Sequence, residues 1–324
     1  MNVSQSLRGR INFQGEFDEL FADVVKAYDL GSFISFSPIE FGYEDLNVEL
    51  VTSKGKYFIK IFAETRDNAE CLRLINMVKV SIDNEVNHPI FLRSNNGYIF
   101  RERYEDFNIR LAVFEFIDGK SFYELKRKPN DAEIKEIIKM AADINKIDYK
   151  PAPLSDSWAI VSFPEEYKNA KKLIDKELIP DLDSLLKQFE KVDIKSLPHS
   201  LVHGDLISTN IMKAKDKIYC VDFSVGNYYP RIIELAVLMC DILFDPTGKV
   251  TLKKNYELLL SEYQKYIKLT QEELDILPLF IKIAHAMHII GGLREKKKGN
   301  ESRENEYWFE LGLNGLKQSL TTWK

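Results

Sequence analysis

Cysteine is scarce in this chain of 324 residues: there are three, Cys71, Cys220 and Cys240. An odd number at wide spacing excludes a disulfide framework and the paired spacing of a zinc knuckle. The apolar neighbours of each read as those of buried free thiols. Positive charge is not in excess either. The formal net charge is -5, which argues against nucleic acid as a partner, because phosphate backbones reward basic surfaces. No apolar run reaches membrane-spanning length, and Met1 to Gly15 carries no apolar signal core. A cytoplasmic chain without a membrane partner is therefore expected. Internal repeats and low-complexity tracts are absent. What remains is an ordinary folded composition, 45 % hydrophobic and 29 % charged, long enough for one large domain or two lobes.

The hydrophobic pattern changes character along the chain. Phe17, Leu20, Phe21, Val24, Val25 and Tyr28 recur at helical spacing, with Gly31 as a stop. Leu46, Val48 and Leu50 then alternate with polar residues, Ser53-Lys54-Gly55 reads as a turn, and Tyr57 to Phe62 as the returning strand. Asn68 to Val80 has helical spacing again, and 97–100 and 111–117 read as two further strands. This is a small antiparallel sheet with one or two helices. From Pro129 onward helices dominate. Asn130 can cap a helix that places Ile134, Ile137, Ile138, Ala141 and Ile144 on one face. Helical patterns return at 164–176, 181–191, 231–244, 252–269, 271–290 and 301–320. The expected boundary lies near Asp118-Gly119, giving domains 1–118 and 119–324.

Two motifs interrupt the helical half. Leu201 to Asn210 reads L-V-H-G-D-L-I-S-T-N, and Asp222-Phe223 closes the run I-Y-C-V-D-F. Gly204 lets the backbone turn sharply. The β-rich stretch from Ile218, bounded by the polar 213–217, predicts a hairpin-like return that brings Asp222 near Asp205 and Asn210. Carboxylates this close repel unless a cation separates them. One or two carboxylates, an amide oxygen and substrate phosphates suit magnesium, which prefers oxygen and keeps much of its water. The pattern H-G-D-x-x-x-x-N followed by D-F thus supplies an Asp to receive a hydroxyl proton, with Asn210 and Asp222 to hold the metal on a nucleoside triphosphate.

In the sheet half, Lys60 sits in Tyr57-Phe58-Ile59-Lys60-Ile61-Phe62, with apolar neighbours on both faces. It either reaches past them to water or has a buried anionic partner. The second reading makes it a point charge for triphosphate oxygens. Glu70, the only acid of the helix that follows, is the expected carboxylate partner, with Glu64 as the fallback. The turn Glu40 to Asn47 lies upstream, and its Gly42 can let backbone N–H groups approach phosphates. The stretch Val113 to Gly119 leaves the sheet, and Glu115 and Ile117 can offer backbone donors and acceptors to a planar base.

These residues together resemble the aminoglycoside-phosphotransferase and choline-kinase superfamily, which also holds type II homoserine kinases. The resemblance runs from about Phe33 to Leu320 and is carried by His203-Gly204-Asp205 through Asn210, by Asp222-Phe223, and less strongly by Lys60 and Gly119. It implies an α+β, protein-kinase-like fold of two lobes, the larger one mainly helical. It also implies ATP (or GTP) with Mg2+, and a small-molecule hydroxyl acceptor, whether a metabolite or an aminoglycoside. Asp205 would be the catalytic base, Asn210 and Asp222 the magnesium ligands and Lys60 the α/β-phosphate contact. His203 would hold the loop in shape.

The chain departs from the protein-kinase pattern in three places. Only Gly42 stands where those enzymes carry a glycine-dense loop, Gly204 stands where they usually have Arg, and Ser224 where they have Gly. A protein kinase of the same fold is therefore the lesser reading. A silent nucleotide-binding regulator is another, opposed by the intact Asp205, Asn210, Asp222 and Lys60. Glu234 replaces the Asp of a family segment ending in Asp-Leu-Ala, and its extra methylene is expected to weaken any support it gives the loop. It is left outside the expected site. His285 and His288 read as core residues, Lys296 to Lys298 as a solvated loop, and Trp308 as packing for the last helix. Acceptor identity and oligomeric state are not legible.

Overall fold

The computed structural model describes residues 3–39, 42–104 and 107–323. They group into two compact units, Met1–Ile82 with His88–Asp118, and Asp83–Asn87 with Gly119–Lys324.

The first unit begins with α1 (Gln5–Ile11), which had no signal in the sequence, and α2 (Phe17–Ala27). Ser4 caps α1 by accepting the Leu7 N–H at 3.3 Å. The sheet follows: β1 (Phe33–Ile39), β2 (Leu46–Thr52) and β3 (Gly55–Ile61), then α3 (Asn68–Asp83), then β4 (Ile99–Tyr104) and β5 (Phe107–Glu115). All pairings are antiparallel and the order is β1-β2-β3-β5-β4. Strand alternation sends Leu46, Val48 and Leu50 to one face of β2, where they join Phe17, Phe21 and Phe36 in one core. The Phe21 and Phe36 rings lie 4.9 Å apart, and burying each stabilises the unit by roughly 2 kcal/mol. The expected strands at 97–100 and 111–117 form one hairpin, β4 and β5, shifted from those limits. β4 is an edge strand whose Arg101, Glu102 and Arg103 are exposed, so apolar alternation could not reveal its length.

The second unit opens with β6 (Lys120–Ser121), α4 (Phe122–Leu125) and α5 (Asp131–Lys146). Asn130 and Glu133 form a reciprocal capping box at the start of α5. Next come α6 (Phe163–Ala170), α7 (Ile179–Phe189), β7 (His199–Val202), β8 (Ile211–Ala214), β9 (Lys217–Cys220) and β10 (Asn227–Pro230). The chain finishes with α8 (Ile232–Cys240), α9 (Leu252–Tyr263), α10 (Gln271–Lys297) and α11 (Arg303–Thr322). β7 pairs with β10, while β6, β8 and β9 make a second small sheet. The fold class is the expected one, an antiparallel sheet followed by a mainly helical part.

α10 corrects one expectation. It is long and apolar enough to cross a membrane by length and composition, yet 67 % of its apolar window is packed inside the protein. It is the central helix of this unit, with His285 fully buried on it. Burial lowers the His285 pKa to about 3, helped by His288. α11 lies close against this helix because Gly312 and Gly315 carry no side chain. A Cβ at 315 would stand 2.0 Å from the His285 ring.

Candidate active site

Asn145 of α5 ties the end of β7 in place: its Nδ2 donates to Leu201 O at 2.9 Å, and its Oδ1 accepts the Tyr263 hydroxyl at 2.8 Å. After β7 the chain enters His203-Gly204-Asp205. Gly204 has φ +76°, the left-handed region that side chains resist. A Cβ there would meet Val225 at 3.6 Å, an ordinary contact, so conformation and not space demands glycine. His203 is fully buried. Its Nε2–H donates to Val221 O at 3.1 Å and its Nδ1 accepts the Asp205 N–H at 3.3 Å, which fixes the neutral Nε2–H tautomer. Its ring centroid lies 4.4 Å from that of Phe223. The imidazole thus braces the Asp205 loop against the segment that leads to Asp222.

The β8–β9 hairpin returns the chain as the sequence predicts. Ile211 pairs with Cys220, and the Val221 N–H donates to Asn210 O at 2.9 Å. Asn210 Nδ2 donates to both Asp205 O, 3.1 Å, and Asp205 Oδ2, 2.6 Å. Asp222 follows with φ +68°, uncommon for a residue with a Cβ and a mark of local constraint. Its Oδ1 accepts the Ser224 N–H at 3.1 Å and the Ser224 hydroxyl. Burial first, then the negative charges of Asp222 and Asp156, push the Asp205 carboxyl well above the usual carboxylate range. Asp205, Asn210 and Asp222 therefore share one electrostatic neighbourhood. The Asn210 amide nitrogen faces Asp205, which leaves its oxygen as the donor for a cation. An amide oxygen and a carboxylate are hard donors, and that set fits magnesium.

Two further carboxylates fix the loop, and both come from α8 and its end. Glu234, completely buried, accepts the His203 N–H at 2.6 Å and the Gly204 N–H at 3.3 Å. Burial raises its pKa from 4.5 to about 7 despite these two bonds. The expectation that its extra methylene weakens loop support is corrected, because the longer side chain reaches both amides. Asp241, seven positions on, holds the other end by accepting the Ser208 N–H at 2.5 Å. Lys128 pairs with it at 3.1 Å and also donates to its backbone oxygen. Burial opposes ionisation of Asp241, but Lys128 and the Ser208 N–H outweigh it and lower its pKa. Glu234 had a sequence signal in its family segment; Asp241 and Lys128, 113 positions apart, had none.

Asp156 is a third residue that the motifs did not reveal. It lies in the 147–159 connection, where its Oδ1 accepts the Trp158 N–H at 2.8 Å. Asn227 of β10 pins that connection by donating to Leu154 O at 2.7 Å. The negative charge of Asp156 acts on the Asp205 carboxyl.

In the first unit, Lys60 is 4 % exposed, and its ammonium stands 3.0 Å from Asp45 Oδ2. Glu70, the expected partner, is engaged elsewhere. Its carboxylate accepts the Asp67 N–H at 3.1 Å while Asp67 accepts the Glu70 N–H at 2.8 Å, a reciprocal cap at the start of α3. The fallback Glu64 contributes its backbone oxygen to Arg110 at 3.0 Å. The hairpin register could have found Asp45. Asn47 sits opposite Lys60, and a residue two positions from Asn47 projects to the same face, diagonal to Lys60. Gly42 has φ +93°, a conformation that glycine adopts without steric cost. Glu40 and Phe41 of the same turn lie outside the described residues. The Glu115 N–H is engaged by Ile90 O at 2.8 Å. Ile117 follows β5 and is half-buried.

Known proteins resemble this chain over most of its length. A homoserine kinase of Parvibaculum lavamentivorans is 22 % identical over 272 residues, 82 % of each chain. Among solved structures, a microcompartment-associated aminopropanol kinase superposes with a TM-score of 0.68 at 13 % identity, over 94 % of this chain and 98 % of that one. An amicoumacin kinase in complex with AMP-PNP and Ca2+ gives 0.65 at 14 %, over 99 % and 97 %. At such identity the two structures show the fold alone. Residues 35–266 match the phosphotransferase enzyme family, and the chain belongs to that family.

Proposed function

We propose that this chain is a cytoplasmic kinase that transfers the γ-phosphoryl group of ATP, with Mg2+, to the hydroxyl of a small amino alcohol, homoserine being the first acceptor to test. The observation that carries this reading is that Asp205 and Asn210, on a loop fixed at both ends by Glu234 and Asp241, share one electrostatic neighbourhood with Asp222 from the next segment. Asp205 orients the acceptor hydroxyl and takes its proton as transfer completes. Burial and the neighbouring carboxylates raise its affinity for a proton, the direction a proton acceptor needs. Asn210 keeps the Asp205 carboxylate pointed while its amide oxygen, with Asp222, would hold the metal. Magnesium, when bound, neutralises charge on the phosphate oxygens. Lys60 would add a point charge at the α/β-phosphates, and the Glu115 carbonyl, its N–H being taken by Ile90, would meet the base together with the Ile117 backbone. Asp156 supports an acceptor that carries an ammonium group, as homoserine and amino alcohols do. Gly204 and Ser224 favour a small acceptor over a protein.

The test is phosphate transfer from MgATP to a panel of homoserine, choline, ethanolamine, 1-amino-2-propanol and an aminoglycoside, repeated with GTP. Magnesium-dependent turnover with homoserine is expected. Nucleotide binding without transfer to any acceptor would favour the silent regulator instead.

A further inference from the structure

We infer that Asp45, which lies before β2, is the residue that positions Lys60 for phosphate, in place of an acid on α3. The inference rests on the nucleotide-binding reading above and deepens it. A lysine has four rotatable bonds, and holding its ammonium at one point needs a fixed counter-charge. Asp45 is such a point. Its side chain is 4 % exposed, and that of Lys60 6 %. Oδ2 meets the Lys60 ammonium at 3.0 Å, while Oδ1 accepts the Ala63 N–H at 2.8 Å and the Arg66 Nε–H at 3.1 Å. The carboxylate is thus anchored three and six positions beyond Lys60 and cannot follow the lysine if it moves. Arg66 is itself braced by Glu44 at 2.5 Å.

The direction of support follows from these bonds. Asp45 is held by groups other than Lys60, so it sets where the ammonium sits and not the reverse. An ammonium carries three donors, and the pair with Asp45 uses one of them. Rotamer freedom that an unanchored lysine would lose on meeting phosphate is already gone, which is the usual gain from preorganisation. Glu70 cannot supply the same anchor, because its carboxylate closes the start of α3.

The test measures MgATP affinity directly, by calorimetric titration, so it needs no acceptor. Wild type, Asp45→Asn, Lys60→Met and the double variant are compared. Asp45→Asn is expected to weaken binding about tenfold, a common coupling between residues in contact. In the Lys60→Met background the same change should add less than about twofold, because the group it acts through is missing. Full affinity in Asp45→Asn, or losses that multiply in the double variant, would overturn the inference. If Asp45→Asn does not fold, Asp45→Glu keeps the charge but displaces it by one methylene. Weaker binding in that variant supports the assignment, and unchanged binding ends it. A wild-type chain that binds no MgATP would remove the inference together with the reading beneath it. Equal binding in wild type and Asp45→Asn would remove the inference alone.

Discussion

Replacing Glu234 by Gln separates what this side chain does for the loop from what its charge costs the fold. Glu234 is buried with its two oxygens facing the N–H groups of His203 and Gly204. Gln keeps one acceptor, which serves His203, but it turns an NH2 group toward the Gly204 N–H. The Gly204 N–H then keeps only a longer contact of 3.4 Å, at a cost of about 1–3 kcal/mol. The charge works in the opposite direction. Burial raises the Glu234 pKa from 4.5 to about 7, so the folded state prefers the protonated form. Stability from this group is fully present below pH 4.5 and is lost as the pH rises through 7. At about 1.36 kcal/mol per pH unit, the loss amounts to roughly 3 kcal/mol. Gln does not titrate and escapes it. Glu234→Gln should therefore be less stable than wild type at pH 4.5 and draw level with it, or pass it, by pH 8. Its kcat should stay below that of wild type throughout, because the Gly204 amide has lost its nearer acceptor. Urea unfolding from pH 4.5 to 8, paired with steady-state kinetics, reads both effects. Parallel stability curves for the two proteins would refute the reasoning.

Asp205→Asn should lower turnover at least about a hundredfold, the least that a positioned base contributes, with MgATP affinity nearly unchanged; full activity would reject Asp205 as the base. Lys128→Met leaves the Asp241 carboxylate buried without its cation and should cost roughly 3 kcal/mol in urea unfolding, together with a fall in kcat as Ser208 loses a firm anchor. A loss under about 0.5 kcal/mol would show that Asp241 does not depend on that pair. Gly204→Ala forces a side chain into φ +76° and should cost about 1–2 kcal/mol, and Gly204→Asn, which visits that region more readily, should recover part of it. Equal stability of the three would place the loop in another conformation.

The loop chemistry was legible because proton transfer and metal binding demand fixed residue types at short spacing. His203-Gly204-Asp205, Asn210 and Asp222 lie within 20 positions of one another, and the hairpin that joins them announces itself through the polar 213–217 between two apolar strands. Several helices of the second half were legible too, since α5 and α7 each bury one face and so repeat apolar residues at helical spacing. Their ends were less so: the expected 231–244 stops at Cys240, because Asp241 leaves the helix and turns its carboxylate to Ser208. α1 went unseen because it is seven residues long, too short to establish a period.

The partners of the site belong to the other category. Which acid holds Lys60 depended on register across β2 and β3 and on the competing use of Glu70 as a cap, and helical proximity alone pointed to the wrong one. Whether Glu234 reaches the loop depended on the placement of α8 to within one methylene. The meeting of Lys128 with Asp241 needed a chain closure over 113 positions, which leaves no trace in local pattern. Sequence by itself determined which groups can do chemistry, since that is a matter of residue type. Tertiary structure decided which carboxylates hold them still, because a hydrogen bond tolerates only a few tenths of an ångström and the chain fixes such distances only by folding.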